Sequence, residues 1–340
     1  MRLGVAYPTS ARFDSARRDL DAIAAAGVSS VLLGASEDDV LEEPERLASL
    51  VAATRERGLE PLVSPRGVLG LFGGGGTSFG VARDPSIRQR LTDGTGVPAA
   101  CPNNPRTGAW LERWLVAALA SRPDGVAWLE PRLWVPLRDP WNASRRDAWA
   151  CACDACVEAW ALGRHDAPGG ALPDAFTPEV RAFRRRSLVG LLEPSLARVD
   201  HAGLRNIVSV AAAGGDDPEA LPLGDVAAIP YVHGLGTEPC GDIDAAAVDH
   251  TAFWAARIAK AARGRSMRTH LRVRTDRVRA GRAGSDALRG VVAEAVGAGI
   301  DLLVLRPWPD GTPQRDDDPE APPRMPVEDA WAVVREAARS

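Results

Sequence analysis

Apolar and polar positions alternate in short runs along this chain, and most runs give way to a stretch whose apolar residues recur every three or four positions. The first run is "RLGVAYP" (2–8), followed by the amphipathic "ARRDLDAIAAAG". "SSVLLGAS" (29–36) comes next, then a helical stretch to Arg57, then "EPLVSPRG" (60–67). A long loop and the helical "TGAWLERWLVAALASR" lead to a fourth run, "DGVAWLEPRL" (124–133). Past a cysteine-bearing excursion and a long helix over about 178–200 lie "NIVSVAA" (206–212), "DVAAIPYVH" (225–233), "SMRTHLRVRT" (266–275) and "DLLVLRPW" (301–308). A last helix is expected at 326–338.

Eight strands, most followed by a helix, predict a (β/α)8 TIM barrel spanning residues 1–340 as one domain, with an excursion at about 134–175. The competing doubly wound sheet needs a glycine-rich phosphate turn after its first strand, and "YPTSAR" is not one. "GVLGLFGGGGTSFG" (67–80) lacks the Lys-Ser/Thr ending of a phosphate-binding loop, so it reads as a mobile cover over the barrel mouth or as a place of close substrate approach. "PQRDDDPEAPPRMP" reads as a solvated surface loop.

Composition removes several function classes. Hydrophobic residues at 45% and charged residues at 25% describe an ordinary soluble globular chain. A net charge of −4 leaves no electrostatic footprint for nucleic acid. No run approaches the roughly 18 apolar residues of a membrane span, and no signal-peptide core opens the chain, so a cytoplasmic location is expected. Of 41 basic residues only Lys260 is a lysine, and it lies in a helical stretch, which argues against Schiff-base chemistry.

In that reducing compartment clustered cysteines point to metal. Cys151, Cys153 and Cys156 form C-x-C-x-x-C just beyond the fourth strand, and Cys101 stands in "ACPNNP" beyond the third. Both segments leave the same barrel face, so four thiolates can converge on one tetrahedral zinc of the closed, structural kind. Cys240, alone in "EPCGDID", reads as a bystander.

"CPNNP", a helix, a strand ending in glutamate and then "CACDACVEAW" together resemble the β-galactosidases of glycoside hydrolase family 42 over roughly residues 100–160. The resemblance implies that the four cysteines hold a structural zinc and that Glu130 is the general acid/base. It also allows a homo-oligomer, since members of that family are often trimers. The chain departs from the pattern twice. Leu129 stands where the family has an asparagine, and "SMRTHLRVRT" carries no glutamate where the family has its nucleophile. The later domains of that family are also not visible.

Active sites of such barrels lie where strands end. Glu130, flanked by Trp128 and Trp134, is expected to have a raised pKa and to act as a general acid. Substitutes for the second carboxylate are Asp310, Glu37, and Glu238 or Asp242. Alternatively His270, or His233, is the base of an isomerase or lyase. By alternation His270 and Arg272 face away from Leu271 and Val273, toward the barrel mouth. Tyr7, Arg66, Asn103, Arg132, Trp134, Tyr231, His233, Arg272, Arg306 and Trp308 are the expected substrate contacts. Trp128, Trp134, Trp141 and Trp308 are candidates for stacking on sugar rings, and the arginines suit an acidic sugar. The expected partner is thus a small carbohydrate, with hydrolase, isomerase or lyase, and non-catalytic sugar binding as the three functions.

Overall fold

The computed structural model describes residues 1–9, 13–73, 78–133, 149–163, 172–173, 177–212, 221–239, 242–306 and 324–338. The strands are β1 (Arg2–Pro8), β2 (Ser30–Ala35), β3 (Glu60–Pro65), β4 (Arg88–Arg90), β5 (Gly96–Ala100), β6 (Gly125–Leu129), β7 (Arg205–Ala211), β8 (Gly234–Glu238), β9 (Arg268–Arg274) and β10 (Leu302–Arg306). Eight of them close into a parallel barrel in the order β1, β2, β3, β6, β7, β8, β9, β10, with β10 pairing back onto β1. The other two, β4 and β5, form an antiparallel hairpin in the connection after β3.

Period-2 alternation sorts the side chains into two cores. Leu32, Leu62, Ala127, Ile207, Leu302 and Val304 fill the barrel interior. Val31, Leu33, Val126, Val208, Leu271 and Val273 belong to the larger layer between strands and helices. Each such side chain contributes roughly 1.5–3 kcal/mol on burial, and a one-residue slip would forfeit a whole strand's share. Parallel register then carries the facing from strand to strand. His270, Arg272 and Arg274 lie opposite Leu302, Val304 and Arg306, so all six point inward.

The helices that matter for the site are α1 (Phe13–Ala25), α2 (Glu37–Leu41), α3 (Pro44–Glu56), α4 (Phe79–Arg83), α5 (Pro105–Ala120), α6 (Asp154–Gly163), α7 (Pro178–His201) and α8 (Leu223–Ala228). Ser36 and Asp39 make a reciprocal capping box at the start of α2. Asn104 caps α5, and Pro105 occupies its first turn, where no backbone donor is lost. None of the described helices is long and apolar enough to cross a membrane.

One strand lies elsewhere than the sequence pattern suggests. Residues 225–233, read above as the sixth strand, hold the end of α8 and a turn, and the barrel strand is the next segment, "GLGTE". Leu223, Val226 and Ala227 are buried at helical spacing, whereas Gly234 and Gly236 depress strand propensity. The interior demands glycine at 236. A Cβ there would sit 2.2 Å from the His270 carbonyl oxygen and 2.4 Å from its ring. The shift moves Tyr231 and His233 to the N-terminal end of the barrel and makes Glu238 a strand-end residue.

Candidate active site at the C-terminal mouth

Four strands bring one connected charge cluster to the mouth. Arg272 on β9 donates from one terminal nitrogen to Glu130 Oε1 at 3.0 Å, and its other terminal nitrogen lies 3.0 Å from Glu238 Oε2. Arg306 on β10 donates to Glu238 Oε1 at 2.6 Å, and Arg132 stands 3.9 Å from Glu130 Oε2. Arg272 is only 3% exposed, so its two carboxylates screen a charge that the interior would otherwise reject. Beside it Arg274 pairs with Asp276.

Glu130 reaches the mouth through strained backbone. Leu129 faces the interior, so alternation would turn the next residue outward; a φ of 49° at Glu130 turns it back. That left-handed conformation costs a non-glycine residue about 1–2 kcal/mol. Such strain persists only where the surroundings over-determine it, and here they do. The Glu130 amide donates to the Ser209 carbonyl at 2.6 Å, Arg132 N to Leu71 O at 2.8 Å and Gly73 N to Leu129 O at 2.8 Å. Gly73 is the close approach: a Cβ there would lie 3.3 Å from Glu130 Oε2. Burial alone would raise the Glu130 pKa, but the guanidiniums of Arg272, Arg306 and Arg132 outweigh it and hold the carboxyl below its ordinary value. The sequence-based expectation of a raised pKa is therefore reversed.

Glu37 anchors the loop that bears on Glu130. Its Oε1 accepts from Leu69 N at 2.8 Å and Ser78 Oγ at 2.7 Å, and its Oε2 accepts from Phe79 N at 2.9 Å. Leu69 also has a positive φ, 56°. Burial pushes the Glu37 pKa up despite these donors. The side chain is committed to Leu69, Ser78 and Phe79 and, among the described residues, makes no ion pair with the mouth cluster.

His270 lies deeper. Its ring packs over Gly236, only 3% of the residue is exposed, and Nε2 has no hydrogen-bond partner among the described residues. Burial first, and the nearby Arg272 charge second, push its pKa down to about 3. It also lines a cavity of about 510 Å³ that opens between Arg2, Glu60, Arg268 and Asp301 at the N-terminal face. A neutral imidazole so placed sits beneath the mouth, on the far side of Arg272.

The four cysteines converge. Ligand atoms of Cys101, Cys151, Cys153 and Cys156 all lie within 4.8 Å of one another, arranged so that they can hold a metal ion. Arg90 N donates to Cys151 Sγ at 3.5 Å and Asn103 Nδ2 to Cys156 Sγ at 3.2 Å. Amide donors aimed at sulfur favour thiolate, the form a metal needs. The cluster also reaches toward Glu130. Cys101 follows β5, and a Cβ on Gly70 would lie 2.5 Å from the Pro98 carbonyl of β5, so the 67–73 loop rests on the strand that leads to the cysteines.

The remaining sequence candidates scatter. Arg66 stays at the mouth, its stem over Gly34. Asn103 serves the cysteines and Ser187 Oγ instead of the mouth. Tyr7 points outward and donates to Asp19 on α1 at 2.6 Å. His233 accepts from Asn206 N and lies 3.1 Å from Asp200, and the Tyr231 carbonyl accepts from Asn206 Nδ2, both at the N-terminal end. Trp128 is fully buried against Phe72 and Trp114, its indole donating to Asn206, so it offers no face to a sugar. Asp242 pairs with Arg324 and Arg277. Trp134, Trp141, Cys240, Trp308 and Asp310 lie outside the described residues. Glu238, weighed in the sequence as one substitute among several, becomes a central member once its strand is in place.

No protein-family model matches the chain, and no curated protein matches its sequence. Solved structures do match its fold. A β-galactosidase from the psychrophilic Marinomonas ef1 superposes with a TM-score of 0.66 at 13% identity over 99% of this chain, which spans 59% of that enzyme's length. An endo-β-1,4-mannanase from Thermotoga petrophila gives 0.57 at 10% identity, covering 100% of this chain and 76% of the other. A 3-keto-D-glucoside 4-epimerase from E. coli gives 0.52 at 10% identity over 100% of both chains. At these identities the likeness is one of fold: the chain has the eight-stranded barrel found in glycoside hydrolases and sugar epimerases alike.

Proposed function

We propose that this barrel is a carbohydrate-acting enzyme whose site is the C-terminal mouth, with Glu130 and Glu238 as its working carboxylates. The observation that carries the reading is the single buried guanidinium of Arg272 held between them. It brings two carboxylates to one guanidinium, and a pair of carboxyl groups is what glycoside hydrolysis usually uses. In the hydrolase reading, favoured by the family 42 resemblance, Glu130 serves the glycosidic oxygen and Glu238 replaces the carboxylate missing from β9. The general-acid role then requires Glu130 to gain a proton once a sugar displaces water and separates it from the arginines. Desolvation, already the largest influence on Glu130, would act in that direction.

A second reading rests on the lowered pKa of Glu130. An ionised carboxylate beside guanidiniums suits removal of a proton next to a carbonyl, with an arginine stabilising the developing oxyanion, as in an isomerase or lyase. His270, buried beneath Arg272, is the weaker base on position.

The cysteines fit zinc. Four sulfurs complete a tetrahedral shell with no open position, so the ion would supply bracing and no chemistry. It would staple the excursion expected at 134–175 to the barrel.

The test is a turnover screen of wild type and Glu130→Gln. Aryl galactosides, glucosides and uronides report hydrolysis, and solvent deuterium incorporation into ketoses and aldoses reports isomerisation. Glu130-dependent turnover of either kind supports the site, and its kind selects the reading. Equal rates for both proteins would overturn it.

A further inference from the structure

Among the described residues, the mouth carries more positive charge than its carboxylates offset. Among the described residues, Arg66, Arg132, Arg272 and Arg306 face two carboxylates, Glu130 and Glu238, while Arg274 is matched by Asp276. Among the described residues Arg66 has no ion pair, and Arg132 is paired only at 3.9 Å, with Glu130 Oε2. Arg272 is 3% exposed, yet its Nε has no acceptor among the described residues, and the same holds for Arg306 Nε. A half-buried surplus of guanidinium is unfavourable in an empty site and is relieved when an anion arrives.

We infer that the mouth takes a sugar bearing an anionic group, seated on Arg132 and Arg306 with Arg66 at the rim. The inference rests on the reading of the mouth as a carbohydrate site and names its substrate class. Guanidinium forks match carboxylate and phosphate oxygens in pairs, which a neutral hydroxyl cannot do. Arg272 is excluded as the primary contact because both of its terminal nitrogens already face glutamates. Arg132 is 29% exposed and Arg306 34%, so each retains donors on the open side. The anionic group would thereby fix the ring over Glu130, and its arrival would weaken the hold of Arg132 and Arg306 on the Glu130 charge.

Calorimetric titration of the full chain with D-glucuronate, D-galacturonate and D-glucose 6-phosphate, against D-glucose and D-galactose, tests this. The anionic sugars should bind at least about tenfold more tightly, the preference shrinking as salt rises. The uronate and phosphate arms separate the two anion sources. Arg132→Gln and Arg306→Gln should each reduce the preference about tenfold, and Tyr7→Phe, whose hydroxyl serves Asp19 away from the mouth, should keep it. Arg132→Gln decides the matter if Arg306→Gln disturbs Glu238. Neutral sugars binding as tightly as anionic ones would overturn this inference and leave the carbohydrate reading standing. Binding of no sugar at all would overturn both.

Discussion

The sulfur cluster, carried by connecting segments, and the charge cluster, carried by strand ends, were built in opposite ways. Three of the four cysteines come from six consecutive residues, and the fourth from a short segment ahead of α5. Every ligand is the same chemical type, and two amide donors complete the surroundings. The mouth cluster joins residues from β8, β9, β10 and the end of β6, and it balances opposite charges against burial. The first arrangement is local and closed, suited to holding an ion. The second is long-range and leaves donors open, suited to a transient guest. The contact of Gly70 with β5 and of Gly73 with Glu130 ties the two together mechanically.

If the cysteines brace and the mouth reacts, breaking each should give a different signature. Removing the metal, or replacing Cys156 with serine, should produce the largest loss of stability, on the order of several kcal/mol. Thermal unfolding read against metal content by atomic absorption checks this. An unchanged melting temperature after the metal is stripped would remove the bracing role. Glu130→Gln should come next, with turnover reduced on the order of 10²- to 10⁴-fold at intact metal content, measured on whichever substrate the screen identifies.

His270 sharpens the contrast through pH. Its unfolded pKa is near 6.5 and its folded pKa is pushed down to about 3. Above 6.5 both states are neutral and no stability is lost. As pH falls through that window the unfolded chain takes up a proton that the folded chain refuses, so stability declines by a few kcal/mol. Denaturant titrations between about pH 7 and about pH 5 should show this slope in wild type and lose most of it in His270→Asn. The smallest effect belongs to Tyr7→Phe, which removes the bond to Asp19 and should cost about 1 kcal/mol while leaving turnover unchanged. A turnover defect there would move the functional boundary out to the helix layer.

The barrel was legible because its signals are periodic. The runs at 2–8, 29–36 and 301–308 alternate or are wholly apolar, and β1, β2 and β10 fall within them. β8 was hidden because "GLGTE" carries two glycines, of which Gly236 is imposed by His270, a constraint from another strand, and Gly234 lies against Ile207. With β8 misplaced, His233 and Tyr231 were drawn to the wrong end of the barrel and Glu238 was undervalued. The cysteines were legible from the C-x-C-x-x-C spacing and from the adjacent barrel loops that carry Cys101 and the other three. The lowered Glu130 pKa was not, because it depends on Arg272 and Arg306, 142 and 176 residues away, and on a left-handed φ that places the carboxylate between them. Asn103 shows the same limit on a smaller scale. Its motif marked it as important, but only the folded chain reveals that sulfur is what it serves.

A carboxyl-carbon NMR titration of Glu130 in the full, sugar-free chain, assigned against Glu130→Gln, tests the centre of this account most directly. If Arg272, Arg306 and Arg132 hold Glu130 as a ready carboxylate, it will titrate below the ordinary glutamate value of 4.5. A midpoint at or above 4.5 would mean that burial outweighs the arginines, and that the charge cluster described at the mouth is not the resting state of the site.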